Sequence, residues 1–324
     1  MKVLFIRLSS IGDIVLTTPL VRCVNQQKAN VEIHYLCKES YRLLLSSNPY
    51  IHKLHGFTKE DKTLKERLKD EKYDYVIDLQ HNHHSKAICR YLKVPHRSFP
   101  KLNIRKWILV NFKINILPKV HIVDRYFKAL EDLKVNNDNK GLNFFISDKD
   151  LHQIQKEDLP EVFVAVAVGS KHNTKQLPKE KLLEICQQTD IPFVFLGDEK
   201  DTATVEYIQA NLHKPSYNYC GKLNLQESAF CVSKATIILS GDTGLMHIAA
   251  ALNKPLITVW GNTVPAFGMF PYMPTNKDKY LIIENKKLLC RPCSKLGFKR
   301  CPLGHFKCMQ SLSVDEIVAC LNRS

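Results

Sequence analysis

"IILSGDTGLMHIAAALNKPLITVWG" occupies residues 237–261. A β-rich run enters the turn Gly241-Asp242-Thr243-Gly244, an apolar helical run follows to Leu252, and Leu256–Trp260 is β-rich again. Strand, turn, helix and strand make one βαβ unit, which belongs in a parallel sheet. Gly241 and Gly244 let the backbone approach a ligand closely, and Thr243 adds a hydroxyl. His247 lies about one turn into the expected helix, on the side shared with Thr243 and Gly244. A diphosphate resting on this helix end meets backbone N–H donors, a hydroxyl and an imidazole. Taken singly, Asp242 reads as a cap and His247 as a core histidine; the Gly-Asp-Thr-Gly setting favours the phosphate.

Outward from this unit the same alternation recurs. Before it come strand Val162–Val168, helix Lys179–Gln188, strand Phe193–Leu196, helix Thr202–Leu212 and helix Leu225–Lys234. The other half offers strand Val3–Leu8, helix Asp13–Gln26, strand Val31–Leu36, helices Glu39–Ser46 and Lys59–Lys72, strand Tyr75–Leu79 and helix Val123–Leu133. Such alternation predicts an α/β chain of two Rossmann-like domains facing each other across a cleft, residues 1–155 and 156–324. Ligands of such sheets bind at the carboxyl ends of the strands, so the loops after strands are the ones to inspect.

Two of those loops stand out. "VAVAVGSKHNTKQLP" (164–178) places Gly169, Ser170, Thr174 and Lys175 between a strand and a helix start marked by Pro178. The group suits a phosphate without having Walker A spacing. "FLGDEKD" (195–201) ends another strand; Glu199 is suited to ribose hydroxyls, while Asp198 and Asp201 serve equally as helix caps. Gly12 stands alone where a dinucleotide fingerprint wants three glycines, which argues against a nicotinamide cofactor. After the first strand, "RLSSIGDIVLTTP" (7–19) turns on Gly12 and sets Asp13 at the mouth of a helix, as its cap or as the reason for the turn.

The net charge is +15, and residues 1–155 carry most of it, with 27 Lys and Arg against 16 Asp and Glu. Pro95–Val123 has no acid, and six basic residues there surround Trp107-Ile108-Leu109-Val110. That combination suits an anionic membrane surface, or simply a solvated basic face. No apolar run approaches the roughly 20 residues that span a bilayer, and Arg7 and Ser9-Ser10 interrupt the N-terminal apolar stretch, so a cytoplasmic protein is expected.

Five motifs, "RLSSIGDIVLTTP", "VIDLQHN", "VHIVDRY", "VGSKHNTKQLP" and "SGDTGLMHIAAALNKPLITVWG", occur in an order and at spacings that resemble glycosyltransferase family 9, the ADP-heptose:lipopolysaccharide heptosyltransferases and their relatives. The resemblance implies a GT-B fold with an N-terminal acceptor domain and a C-terminal nucleotide-sugar domain. It implies inverting transfer with Asp13 as base and Lys175 near the leaving diphosphate. Asp242, Thr243, Gly244 and His247 would surround the diphosphate and sugar, and Glu199 would hold the ribose. The implied partners are an ADP-heptose-like donor and an anionic lipid-linked saccharide at the inner membrane face, with peripheral membrane association. The leaving charge would be met by Lys175 and helix dipoles, so no metal or other cofactor is expected for catalysis. A nucleotide-sugar epimerase of the same architecture is the first alternative; a basic zinc-containing nucleic-acid binder is the second, although no nucleic-acid motif is present.

Eleven cysteines complete the inventory. Seven are scattered, but Cys290, Cys293, Cys301 and Cys308 crowd one segment with Cys-x-x-Cys at its start. Four thiolates at such spacing point to structural zinc; buried reduced thiols, an iron–sulfur cluster and disulfides are the other readings.

Overall fold

Five short strands in the first half and six in the second, the inner ones rich in β-branched and aromatic residues, pair into two all-parallel sheets. The computed structural model describes residues 1–151, 154–155 and 158–322. It divides into two units, Met1–Lys101 with Val120–Phe145, and Leu102–Lys119 with Ile146–Ser324. The expected boundary after residue 155 lies close to the break at Phe145, although residue 156 itself is outside the described residues.

The first unit runs β1 (Lys2–Ile6), α1 (Ile11–Val15), α2 (Thr18–Gln27), β2 (Glu32–Lys38), β3 (Lys53–Phe57), α3 (Leu64–Asp70), β4 (Tyr75–Asp78), α4 (His83–Leu92) and β5 (His96–Ser98). The next helix, α5 (Asn103–Phe112), groups with the second unit, and α6 (Ile122–Tyr126) returns to the first. The strand order is β3-β2-β1-β4-β5. Phe5 of β1 stands beside Tyr35 on one side and Ile77 on the other.

The second unit contains β6 (Val164–Ala167), α7 (Lys179–Gln187), β7 (Phe193–Leu196), α8 (Thr202–Asn211), β8 (Ser216–Asn218), α9 (Leu225–Lys234), β9 (Ile237–Gly241), α10 (Gly244–Ala251), β10 (Leu256–Trp260), β11 (Tyr280–Glu284), α11 (Lys307–Gln310) and α12 (Val314–Leu321). Its order, β11-β10-β9-β6-β7-β8, is that of a six-stranded Rossmann sheet. Alternation along β6 splits the core: Val164 and Val166 pack with residues of α7, α8 and α12, and Ala165 with residues of α9 and α10. Burial on both faces is why these strands are continuously apolar. In each sheet the strand order reverses between the first strand and the fourth. The loops after β1 and β4, and after β6 and β9, therefore flank the crevice where open sheets bind ligands.

Several local expectations change. The expected helix Asp13–Gln26 is two helices, because Pro19 lacks an N–H and fits only the first turn of α2. The expected turn on Gly12 lies earlier, at Ser9-Ser10: α1 begins at Ile11 and Gly12 is already helical. Helix Val123–Leu133 is α6 followed by a 3₁₀ stretch from Phe127 to Leu133, and Glu39–Leu44 is 3₁₀ as well. The outer strands β3, β5 and β8 carry no strong periodic signal; helices α4 and α12 do, α12 with Val314, Ile317, Val318 and Leu321 at i, i+3, i+4 and i+7, and they add to the expected elements, as does β11.

Candidate active site

In the first unit the chain leaves β1 at Ile6 and reaches Asp13 within seven residues. Asp13 occupies the third position of α1, where its Oδ2 accepts from the Ser10 N–H (3.2 Å) and hydroxyl (2.9 Å). Its Oδ1 lies 2.6 Å from Arg7 Nη2. Cap and ion pair thus coexist in one carboxylate, whose side chain stays 21% exposed. Burial alone would push the Asp13 carboxyl up; the Arg7 charge and the Ser10 hydrogen bonds outweigh it and hold the pKa below the ordinary value.

Arg7 is the hub that the sequence did not reveal. Its Nη1 donates to the Leu79 carbonyl (2.5 Å), its Nε to the Ser9 carbonyl (2.9 Å), and its guanidinium lies over the Tyr126 ring. Gln80 Oε1 accepts from the Leu8 and Ser9 N–H groups at 2.9 and 3.3 Å. Three of the five motifs, after β1, after β4 and on α6, thus converge on one guanidinium. Asp78 orders the second of them, accepting from the His81 N–H at 2.7 Å and the Ser85 hydroxyl at 2.8 Å. Lys101 stands near this group; burial, then the field of Arg7, lowers its pKa.

The second unit gathers most of the remaining candidates at the ends of β6 and β9. A 3₁₀ turn, Asn173–Lys175, follows β6 and brings Lys175 Nζ to 2.6 Å from Asp242 Oδ2. Thr263, after β10, donates its hydroxyl to the same oxygen at 3.0 Å. Asp242 is therefore an ion-pair partner, and the cap of α10 is Thr243, whose hydroxyl oxygen accepts from the Met246 N–H. Gly244 opens the helix and His247 is buried one turn in. Gly241 is required sterically: a Cβ there would stand 2.4 Å from the Lys175 carbonyl oxygen. The backbone crossing that sets Lys175 beside Asp242 thus needs a glycine.

The other candidates fall into two kinds. Gly169 lies over Asp201, whose Oδ2 a Cβ would meet at 1.9 Å. Asp201 is buried and its carboxylate accepts from the Asp198 N–H (2.9 Å) and from Gln176 Nε2 (3.3 Å); burial raises its pKa. Ser170 accepts from the His172 N–H at 3.4 Å, which shapes the loop. Glu199 stands exposed at the start of a 3₁₀ turn, with its Cα packed where Gly221 leaves room.

Thr174 faces a different partner. Its hydroxyl donates to the Phe298 carbonyl (3.1 Å) and accepts from the Phe298 N–H (2.8 Å), which pins the cysteine-rich segment to the Lys175 turn. Arg291, in the same segment, is buried and donates to the carbonyls of Gly261, Trp260 and Thr263 and to Glu284. The Cys293 N–H donates to the Asn262 carbonyl at 3.2 Å. The segment is a strut under the Lys175–Asp242–Thr263 group. All four of its cysteines are free thiols, with Cys290 Sγ 4.0 Å from His305 Nε2. Among the described residues no three of them reach the 4.8 Å mutual spacing of a ligand set.

Comparison with known proteins places these loops in context. The model of glycosyltransferase family 9 (heptosyltransferase) matches residues 62–300. Lipopolysaccharide heptosyltransferase 1 of Campylobacter coli is 28% identical over 290 residues, covering 81% of this chain and 84% of its own. A family 9 glycosyl transferase from Veillonella parvula aligns with a TM-score of 0.79 at 19% identity, covering 100% of this chain and 98% of its own. The ADP-heptose lps heptosyltransferase II of E. coli aligns with a TM-score of 0.75 at 20% identity and the same coverage.

Proposed function

The chain belongs to glycosyltransferase family 9, and from that premise we propose that it moves a heptose, or a related sugar, from an ADP-activated donor to the inner core of lipopolysaccharide, inverting the anomeric centre. The acceptor hydroxyl attacks the anomeric carbon, Asp13 takes the hydroxyl proton, and the bond to the nucleoside diphosphate breaks on the opposite face. Lys175 and the N-terminus of α10 receive the diphosphate charge. The observation that carries the reading is the Asp13 carboxylate, held ionised by Arg7 and Ser10 beside the switch point of its sheet. A base with a lowered pKa is weak in solution, so it works through placement and partial proton transfer in the transition state.

The test pairs binding with turnover. ADP is expected to raise the melting temperature of the wild type and of Asp13→Asn alike, because donor binding belongs to the second unit. Transfer by Asp13→Asn is expected to fall by about 10²–10⁴-fold, the usual scale of general-base catalysis. Turnover by Asp13→Asn within tenfold of wild type, or stabilisation by UDP or GDP in place of ADP, overturns the base or the donor respectively.

Cys290, Cys293, Cys301 and Cys308 would be the donor set of a structural zinc by residue type and sequence spacing, while among the described residues no three of their sulfurs stand at ligand spacing. Such an ion would brace the strut that Thr174 and Arg291 tie to the donor site. Acceptor access to a lipid-linked saccharide would be aided by α5, where Ile104, Trp107 and Phe112 are exposed beside Arg105 and Lys106. Apolar side chains among basic ones suit peripheral attachment to an anionic membrane face. Among the described residues no helix is long and apolar enough to cross a membrane.

A further inference from the structure

The amino end of the first sheet carries a cluster that the transfer reaction does not use. His34 of β2 and His55 of β3 lie on the same face, offset by two residues in the parallel register. They are 1% and 8% exposed, and His34 Nδ1 is 3.2 Å from His55 Nε2. Glu71, between α3 and β4, brings Oε2 to 3.8 Å from His34 Nδ1. The Tyr73 hydroxyl is 2.9 Å from His34 Nδ1 and 3.0 Å from His55 Nε2. Behind the first imidazole, Glu32 Oε1 lies 2.8 Å from His34 Nε2. That contact holds the Nε2 proton and leaves the Nδ1 lone pair facing the cluster.

We propose that His34 Nδ1, His55 Nε2 and Glu71 Oε2 form a site for a divalent ion of the zinc class, with Glu32 as the positioning residue for His34. Three ligand atoms within 4.8 Å of one another converge from separate elements. Ligand atoms about 2.05 Å from a tetrahedral zinc lie about 3.3 Å apart, and the two imidazole nitrogens already stand at 3.2 Å. A carboxylate on the remote nitrogen is the usual support of a metal-binding histidine. Two imidazoles favour zinc, cobalt or nickel over magnesium or calcium. Lys2 and Lys53 also contact Glu71, so the ion competes with them for that carboxylate and binds more weakly than at an unopposed site. The bound ion would cross-link β2, β3 and the α3–β4 connection, at the end of the sheet opposite Asp13. This inference does not depend on the transferase reading.

Titration of the full chain with Co²⁺ separates this site from the cysteine cluster, because only thiolate ligation adds intense near-ultraviolet charge-transfer absorption. In Cys290→Ser/Cys293→Ser the expected result is one equivalent of Co²⁺ with weak visible bands and no thiolate band, lost when His55→Gln is added. Glu32→Gln is expected to weaken it by about 10–100-fold, as loss of a supporting carboxylate does elsewhere. Glu32 and Glu71 are less buried than the histidines, so Glu32→Gln and Glu71→Gln decide the matter if His55→Gln fails to fold. No cobalt bound by the cysteine variant, or unchanged affinity in folded Glu32→Gln and Glu71→Gln, makes the cluster a hydrogen-bond network only and overturns the proposal.

Discussion

Arg7→Gln removes the cation beside Asp13 while leaving the carboxylate partly buried. In the wild type, burial raises the Asp13 pKa, and Arg7 together with the Ser10 hydrogen bonds lowers it by more, so that the net direction is down. An adjacent arginine is worth about one to three pH units on a carboxylate, roughly 1.4–4 kcal/mol. With the Arg7 contribution gone and only the Ser10 hydrogen bonds left to oppose burial, the folded pKa rises. Asp13 must be ionised to accept a proton, so activity is lost as pH falls through this pKa. The assay follows kcat/KM for ADP release between pH 5 and 9. The acid limb of Arg7→Gln is expected to lie at higher pH than that of the wild type. Arg7→Lys keeps the charge but not the fork to Leu79 and Ser9, so it should restore the wild-type limb with a lower plateau. An Arg7→Gln profile that scales uniformly with wild type at every pH refutes the electrostatic argument and makes Arg7 a scaffold for the loop. Stability gives the matching sign. A carboxylate with a lowered folded pKa stabilises above the unfolded value, about 3.9, and loses that contribution as pH falls through the folded pKa. Asp13→Asn should therefore melt lower than wild type at pH 7, and the gap should close as pH falls through the folded pKa of Asp13.

Gly241→Ala places a methyl group 2.4 Å from the Lys175 carbonyl oxygen, and the backbone there must shift. The expected cost is about 1–3 kcal/mol of stability by denaturant titration, with loss of ADP-dependent stabilisation. Removal of metal from the cysteine segment should release thiophilic metal on thiol titration and weaken ADP binding through the strut. A metal-free, fully folded sample with unchanged ADP binding counts against that zinc. Trp107→Ser with Arg105→Ser and Lys106→Ser should reduce sedimentation with anionic vesicles at least tenfold, and salt should reduce wild-type sedimentation in the same way.

Legibility followed burial. The central strands β7 and β10 and helix α9 match the sequence expectation residue for residue, because continuous apolar runs and a clear helical period mark them. The outer strands were invisible because their side chains are mixed: "HRS" in β5 and "SYN" in β8 are ordinary loop sequences until a neighbour pairs with them. Among site residues, Asp13, Lys175 and Asp242 were legible from loop position and motif. Their partners were not. Arg7 looked like an interruption of an apolar run, Thr263 lay beyond the βαβ unit, and Arg291 was lost among cysteines. Arg7 also reaches Leu79, Thr263 reaches Asp242 and Arg291 reaches Thr263, over separations of 21 to 72 positions that no local pattern encodes.

That distinction explains why both sheets solve the same problem with opposite chemistry. At the switch point of the first, a cation is buried so that an acid can remain ionised and partly exposed. At the switch point of the second, an acid is set against Lys175, with 15% of the lysine and 12% of the aspartate side chain exposed. An ion pair sets the orientation of each charge at little net gain in stability, since desolvation offsets much of the attraction. What the pairs would supply to the proposed transfer is preorganisation: Arg7 and Ser10 hold the Asp13 carboxylate, and Asp242 holds the Lys175 ammonium. Asp242→Asn should therefore affect donor binding and turnover differently. A diphosphate then meets a Lys175 with no competing carboxylate, so ADP should bind at least as tightly, while the lysine loses its fixed direction and kcat falls. Weaker ADP binding with unchanged kcat would mean that Asp242 contacts the donor directly and does not act by holding Lys175.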